Sequence, residues 1–233
     1  MIDYTYNSNA IEGSTLTLEE TTLVLKEGVT IGGKPLQHHL EAIGHKDAYY
    51  YVEELVKNKI PISERTIKEI HTLVLMDRQT DKGVYRSVPV RVGSFHPCQP
   101  YEVPIKMERL MIDYDGEMKK LHVVVRAAVF HLMFETIHPF IDGNGRVGRL
   151  LLNLELMKEG YPPINVKFSD RERYYDCFNH YRENSNDTSK MTELVGEYAI
   201  DALKRYIAIA EQSDKLRNGD PENYSGEIEP PTT

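Results

Sequence analysis

The chain has 233 residues with two cysteines and no tryptophan, and its 28 Lys+Arg against 36 Asp+Glu give a formal net charge of −8. That length gives room for one domain with a sizeable core, and the acidic balance, without any dense Lys/Arg run, excludes nucleic acid as the main partner because such binding draws on phosphate neutralisation. No apolar stretch approaches the roughly 18 residues of a membrane span, the N-terminus lacks a signal-peptide layout, and Cys98 and Cys177 are too few for a disulfide framework; the expected setting is cytoplasmic and reducing, with no membrane partner.

In chain order, Ser8-Asn9-Ala10-Ile11-Glu12-Gly13 comes first. Ser8 and Glu12 are four apart and share one face of any helix through residues 6–14. Taken alone, such a stretch is also the pattern of a frayed helix end with a solvated Glu12. Thr17-Leu18-Glu19-Glu20 has capping-box spacing and predicts a short helix up to Gly28. A second helix is expected over 36–56, with Leu40, Ile43, Ala48, Val52 and Leu55 near one face. Ser63 then caps a third, which carries Ile67, Ile70, Val74 and Leu75.

The pattern changes at Gly83. Val84, Val88, Val90 and Val92 alternate among Arg86 and Arg91, and Gly93-Ser94 supplies a turn. This predicts a short hairpin over 87–96 whose edge Pro89 leaves exposed. Helical period returns over 103–114, 118–137 and 144–159. Ser169-Asp170 opens another helix with Tyr174, Tyr175, Phe178 and Tyr181, and a last one spans 191–210. The polar tail, 213–233, is expected to be disordered. The fold class is therefore all-α, a helical bundle with one short β-hairpin, forming a single domain over 1–212.

Between two strong helices lies His138-Pro139-Phe140-Ile141-Asp142-Gly143-Asn144-Gly145-Arg146-Val147-Gly148-Arg149. Two glycines around Asn144 let a ligand approach the main chain, and the free amides of the following helix point into the loop. Arg146 and Arg149 are three apart and can project toward one anion; two guanidiniums plus backbone amides suit a di- or triphosphate. Asp142, amid that positive potential, fits a nucleotide-bound Mg²⁺. His138 is the nearby group suited to taking a proton near neutral pH.

The complete run His-Pro-Phe-x-Asp-Gly-Asn-Gly-Arg-x-x-Arg resembles the signature of Fic-domain protein nucleotidyltransferases. The resemblance covers about 8–181 and implies an all-α fold with a hairpin flap beside the active site. It implies transfer of AMP from ATP, with Mg²⁺ (or Mn²⁺), to a Ser, Thr or Tyr hydroxyl of a target protein or of the enzyme itself. Carried over, His138 is the general base and Asp142 binds the metal. Gly143, Asn144 and Gly145 cradle the α- and β-phosphates, Arg146 supports them, and Arg149 holds the γ-phosphate. The 8–13 motif is similar to that family's N-terminal inhibitory helix, in which Glu12 would pair with Arg149. The first reading is therefore an autoinhibited adenylyltransferase; in some relatives the same glutamate resembles a group that aligns water to remove AMP, which is the second, and a catalytically silent nucleotide sensor is the third, disfavoured because no catalytic position is degraded.

The hairpin matches the flap, and Val88, Val90 and Val92 would bind a target segment by strand addition. Tyr174 and Tyr175 are either core tyrosines or walls of the base pocket, and Arg182 stands where relatives place an Asn near the base. His38, His39, His45 and His131 read as solvated or core histidines and not as metal ligands. The resemblance also implies a possible homo-oligomer.

Overall fold

Explicit start and stop chemistry sets the helix ends of the N-terminal half. The computed structural model describes residues 1–76 and 78–217, with side chains as far as residue 214. The chain opens with α1 (Ile2–Ile11) and α2 (Leu18–Glu27). At the start of α2 the Glu20 amide donates to the Thr17 hydroxyl at 3.1 Å, and Glu20 accepts from the Thr17 N–H at 2.8 Å. This is the expected capping box, and Gly28 ends the helix at φ 67°. α3 (Leu36–Lys57) and α4 (Glu64–Val74) follow, the latter capped by Ser63.

Then come α5 (Val103–Asp115), α6 (Val123–Ile137), α7 (Asn144–Lys158), α8 (Arg171–Glu183) and α9 (Ser189–Arg217). Helix α6 begins five residues later than the 118–137 periodicity predicts. Met118–Lys120 forms a separate 3-10 turn, and His122 caps the helix by accepting from the Val124 amide at 3.3 Å. Helix α9 overshoots its expected end because no glycine or proline interrupts the chain between Ala210 and Gly219. Residues 213–217 of the predicted disordered tail are therefore helical, and the remainder, 218–233, lies outside the described residues.

The hairpin expectation needs correcting. Among the described residues there is no strand; one antiparallel bridge, Val92 to Phe95, closes the Gly93-Ser94 turn. The side facing the protein is set by Arg86 and not by the valines. Arg86 is 5% exposed, while Val84 and Val88 point outward and Val90 and Val92 are half-buried. Its amide donates to Pro139 O at 2.9 Å, so the start of the segment pairs with the loop after α6.

The α6–α7 pair forms the centre of the bundle. One side packs with α3, α4 and α5 through Val52, Ile70, Met107, Phe130, Phe134 and Leu150. The other packs with α8 and α9 through Ala128, Leu132, Leu152, Phe178, Leu194 and Ala199. Helix α6 is apolar on nearly every side because it is buried on nearly every side. The loop joining the two helices emerges where α1, α3 and α4 converge.

Candidate active site

The loop between α6 and α7 is held from four directions. His138 ends α6 in the left-handed region, φ 51° and ψ 62°, while its amide still donates to Phe134 O at 3.0 Å. Arg86 ties this helix end to the segment before α5: Nε donates to His138 O at 2.8 Å, and Nη2 donates to Ile137 O at 3.4 Å and to Cys98 O at 2.6 Å. A buried guanidinium there satisfies acceptors that the helix leaves open and complements its negative end.

Asn144 closes the loop on itself. Its Oδ1 accepts from the Phe140 amide and its Nδ2 donates to Phe140 O, both at 2.9 Å. The side chain is thus a brace, and only the backbone of Asn144 remains to meet a ligand. Beneath it, His71 of α4 stacks on Phe140 with centroids 3.7 Å apart. His71 Nδ1 accepts from the Gly83 amide at 2.8 Å, so Nε2 carries the hydrogen and donates to Asp142 O at 3.0 Å. Burial lowers the His71 pKa to about 4, keeping this brace uncharged at neutral pH. Gly143, at φ 77°, is the turn that demands glycine: a Cβ there would also press on Val74.

Asp142 lies at the mouth, a third exposed. Oδ1 accepts from the Gly143 amide at 2.6 Å and from Arg146 Nη2 at 3.3 Å, and Oδ2 faces Arg78 Nη2 at 3.3 Å. The structure does not aim the two loop arginines at one place. Arg146 turns toward Asp142 and toward Glu41 of α3, 3.4 Å from Nη1, while its Nε has no hydrogen-bond partner. Arg149 turns to α1: Nε donates to Ser8 Oγ at 3.0 Å, and Nη2 donates to Ser8 O at 2.8 Å and meets Glu12 Oε1 at 2.8 Å. Side chains three apart on a helix can diverge when each has its own partner, and here each has.

Glu12 is the C-cap of α1, just past its last turn. Its carboxylate lies so close to Gly145 that a Cβ there would collide with it. A negative group therefore sits over the first turn of α7, where free amides and the positive helix end favour an anion. Tyr174 is buried behind Arg149, accepting from Nη1 at 3.4 Å and pairing with His131 Nε2 at 2.8 Å. Tyr175 donates to Ile11 O at 3.2 Å, and Arg171 Nε donates to the same oxygen at 2.8 Å. These tyrosines hold Arg149 and the end of α1, Tyr174 buried and Tyr175 half-buried.

His138 is mostly buried, and its pKa falls to about 4, first through burial, against which the charge of Glu12 acts. Glu135, one turn back on α6, moves the other way: burial, then the charge of Glu12, pushes it up to about 8. The residues that sequence reading missed are Glu135, His71, Glu41, Arg78 and Arg86. His71 alone left a signal, as a histidine within the apolar face of Ile67, Ile70 and Val74.

Residues 61–156 match the Fic/DOC family. The chain is 34% identical over 232 residues to protein adenylyltransferase fic-1 of Caenorhabditis briggsae, covering 96% of this chain and 45% of that protein. It is 35% identical over 208 residues to protein adenylyltransferase Fic of Nematostella vectensis, covering 87% and 48%. The chain thus spans less than half the length of these curated relatives. Among solved structures it is similar to a Fic domain containing signaling protein from Bacteroides thetaiotaomicron, with TM-score 0.81, 30% identity, and 87% of this chain and 84% of that one covered. It is similar also to Fic-1 from C. elegans, with TM-score 0.81, 31% identity, and 91% and 64% covered.

Proposed function

The chain belongs to the Fic/DOC family, and from that premise we propose that it is an autoinhibited protein adenylyltransferase, moving AMP from ATP to a Ser, Thr or Tyr hydroxyl of a target protein or of itself. The observation that carries the inhibited reading is the seat of Glu12, paired with Arg149 and resting on Gly145 at the N-terminus of α7.

In the forward reaction the target oxygen forms a bond to the α-phosphorus, the bond from that phosphorus to the bridging oxygen breaks, and pyrophosphate leaves. The hydroxyl proton passes to His138. Catalysis of such an in-line displacement is mostly positioning and charge stabilisation. The backbone of Gly143, Asn144 and Gly145 holds phosphate oxygens, Arg146 supports them, and Arg149, once released by Ser8 and Glu12, takes the γ-phosphate. Tyr174 contributes by holding Arg149, and Tyr175 by holding α1.

Asp142 would hold Mg²⁺ or Mn²⁺. A single, partly exposed carboxylate suits a cation that draws its other ligands from phosphate and water. When bound, the metal supplies neutralisation of phosphate charge. The segment 87–96, with Val88, Val90 and Val92, acts as the target-aligning flap. Its single bridge leaves main-chain groups open to pair with a substrate strand.

Incubation with α-labelled ATP and Mg²⁺ tests this reading. Glu12→Gly should raise self-labelling above wild type, and His138→Ala in that background should remove it while ATP still binds. Equal labelling with and without His138 would sink the assignment. The seat of Glu12 beside the loop also supports a second reading, in which it aligns water to remove AMP. Release of AMP from pre-labelled protein by wild type, and not by Glu12→Gly, is its signature.

A further inference from the structure

Helix α7 opens with two glycines three apart, Gly145 and Gly148, on one face of its first two turns. A Cβ at Gly145 would strike the Glu12 carboxylate, and a Cβ at Gly148 would strike the carboxylate of Glu135 and the ring of His131. Two carboxylates thus lie along one helix face, on the order of 5–6 Å apart by that spacing. Glu12 has its partner in Arg149, whereas Glu135 has none. Its side chain is 11% exposed, Oε1 is buried without a donor, and Oε2 stands 3.7 Å from His138 Nδ1. That nitrogen is itself buried with no hydrogen bond of ordinary geometry, and the other acceptor acting on the ring is the main-chain carbonyl of Glu135.

Complementary groups left unpaired side by side in a protein interior are costly, and the gap exceeds hydrogen-bonding distance by less than 1 Å on the order of magnitude of ordinary geometry. Catalytic hydrogen bonds often tighten only when the site is engaged. Resting on the reading of His138 as the base, we infer that Glu135 is its positioning residue: the carboxylate accepts the Nδ1–H of His138, fixes the tautomer, and leaves Nε2 free to take the hydroxyl proton.

The charges around the pair explain why it stands open here. Facing Glu135 are Glu12 from the end of α1, His131 and His138 from α6, Arg149 from α7, and Tyr174 and Arg182 from α8; Arg86 adjoins His138 on its far side. Burial raises the Glu135 pKa and the charge of Glu12 raises it further, while Arg149 and Arg182 act against both. With Glu12 docked, Glu135 keeps its proton at neutral pH. Withdrawing Glu12 removes a like charge and frees that of Arg149, and both changes lower the Glu135 pKa toward ionisation, against the effect of burial. Glu12 therefore acts twice, once at Arg149 and once on the Glu135 carboxyl, while its own charge raises the His138 pKa directly. A histidine held near pKa 4 is a weak base at neutral pH, and an ionised carboxylate at Nδ1 corrects that.

The test is a ring-nitrogen NMR titration of His138 in the full chain without nucleotide, comparing Glu12→Gly with Glu12→Gly/Glu135→Gln. The single variant should titrate about 1–3 units higher than the double one. Its ring should carry hydrogen on Nδ1 and a bare Nε2, and Glu12→Gly/Glu135→Asp, which keeps a carboxylate, should titrate above the Gln variant or, where that fails to fold, no higher than Glu12→Gly. In turnover, Glu135→Gln in the Glu12→Gly background should lower kcat at least about tenfold with KM for MgATP unchanged, and Glu135→Asp should restore part of it. The ascending limb of the pH profile should also shift toward lower pH in the Gln variant. Identical His138 titrations, or a ring protonated on Nε2 at neutral pH, overturn the inference. The titration reads the pair without turnover, so it separates from the proposed reaction: transfer lost with His138→Ala but indifferent to Glu135→Gln keeps that reaction and discards this role.

Discussion

The α6–α7 pair carries a buried carboxylate cluster at each end, and the two are built on opposite terms. At the end away from the loop, Glu155 accepts from Arg126 Nε on one oxygen and from the Tyr114 hydroxyl on the other. Arg126 also reaches Glu159 at 2.7 Å, and none of these side-chain groups is left without a partner. At the loop end, Glu135 Oε1, His138 Nδ1 and Arg146 Nε are buried and unpaired. The same two helices thus enclose one network that is complete and one that is not. A complete network holds the helices together; an incomplete one lacks groups that a different state of the molecule must supply.

The sharpest way to break that contrast is to spoil the complete end. Arg126→Met leaves Glu155, 2% exposed, without its guanidinium, and the unfolding free energy should fall by about 3–5 kcal/mol in denaturant titration. The loop end should be unaffected. A loss below about 1 kcal/mol would show that the far cluster is no firmer than a surface pair.

Tyr114→Phe asks the same question with less violence. It deletes one donor to the buried carboxylate and nothing of the packing against Phe130, whose ring centroid is 5.3 Å away. The expected cost is about 1–3 kcal/mol by the same titration. At the loop end, Ser8→Ala deletes one acceptor of Arg149 Nε while Glu12 and the Ser8 carbonyl remain. Its expected cost is about 1 kcal/mol, together with self-labelling between those of wild type and Glu12→Gly.

How much of this could be read beforehand follows from which forces act locally. Capping of α2 by Thr17 and Glu20 and of α4 by Ser63 is a matter of neighbours in sequence, and both caps stand where spacing put them. The 138–149 loop was legible for the same reason: its base, acid, glycines and arginines are contiguous. Helix α1 was legible only through its motif. It has no apolar stripe, since polar Thr5, Asn7, Ser8 and Asn9 are buried along with Tyr4 and Ile11. The alternation around Val88 misled because period two says which residues share a side, not which side is inside, and Arg86 took the inward place by finding carbonyls on α6. Glu135 left no trace at all: on a helix buried all round, a carboxylate three residues before His138 reads as an ordinary polar break, and only packing against Gly148 gives it a partner in view.

The most direct comparison of the two ends uses pH in place of a deletion. Glu135 has a folded pKa pushed up to about 8 from an ordinary value of 4.5. The folded chain therefore holds a proton on it that the unfolded chain has released between those two values. Its contribution to stability is fully present below the unfolded value and is lost as pH rises through the folded one. Replacement by Gln removes that dependence, while His71, His131 and His138, whose pKa values burial lowers, titrate in both proteins. The difference in unfolding free energy, wild type minus Glu135→Gln, should thus shrink by up to about 1.4 kcal/mol per pH unit between about pH 6 and pH 7, and level off above about pH 8. Parallel stability curves would mean that Glu135 is ionised or solvated in the folded chain, and the loop end would then be as settled as the far end around Glu155.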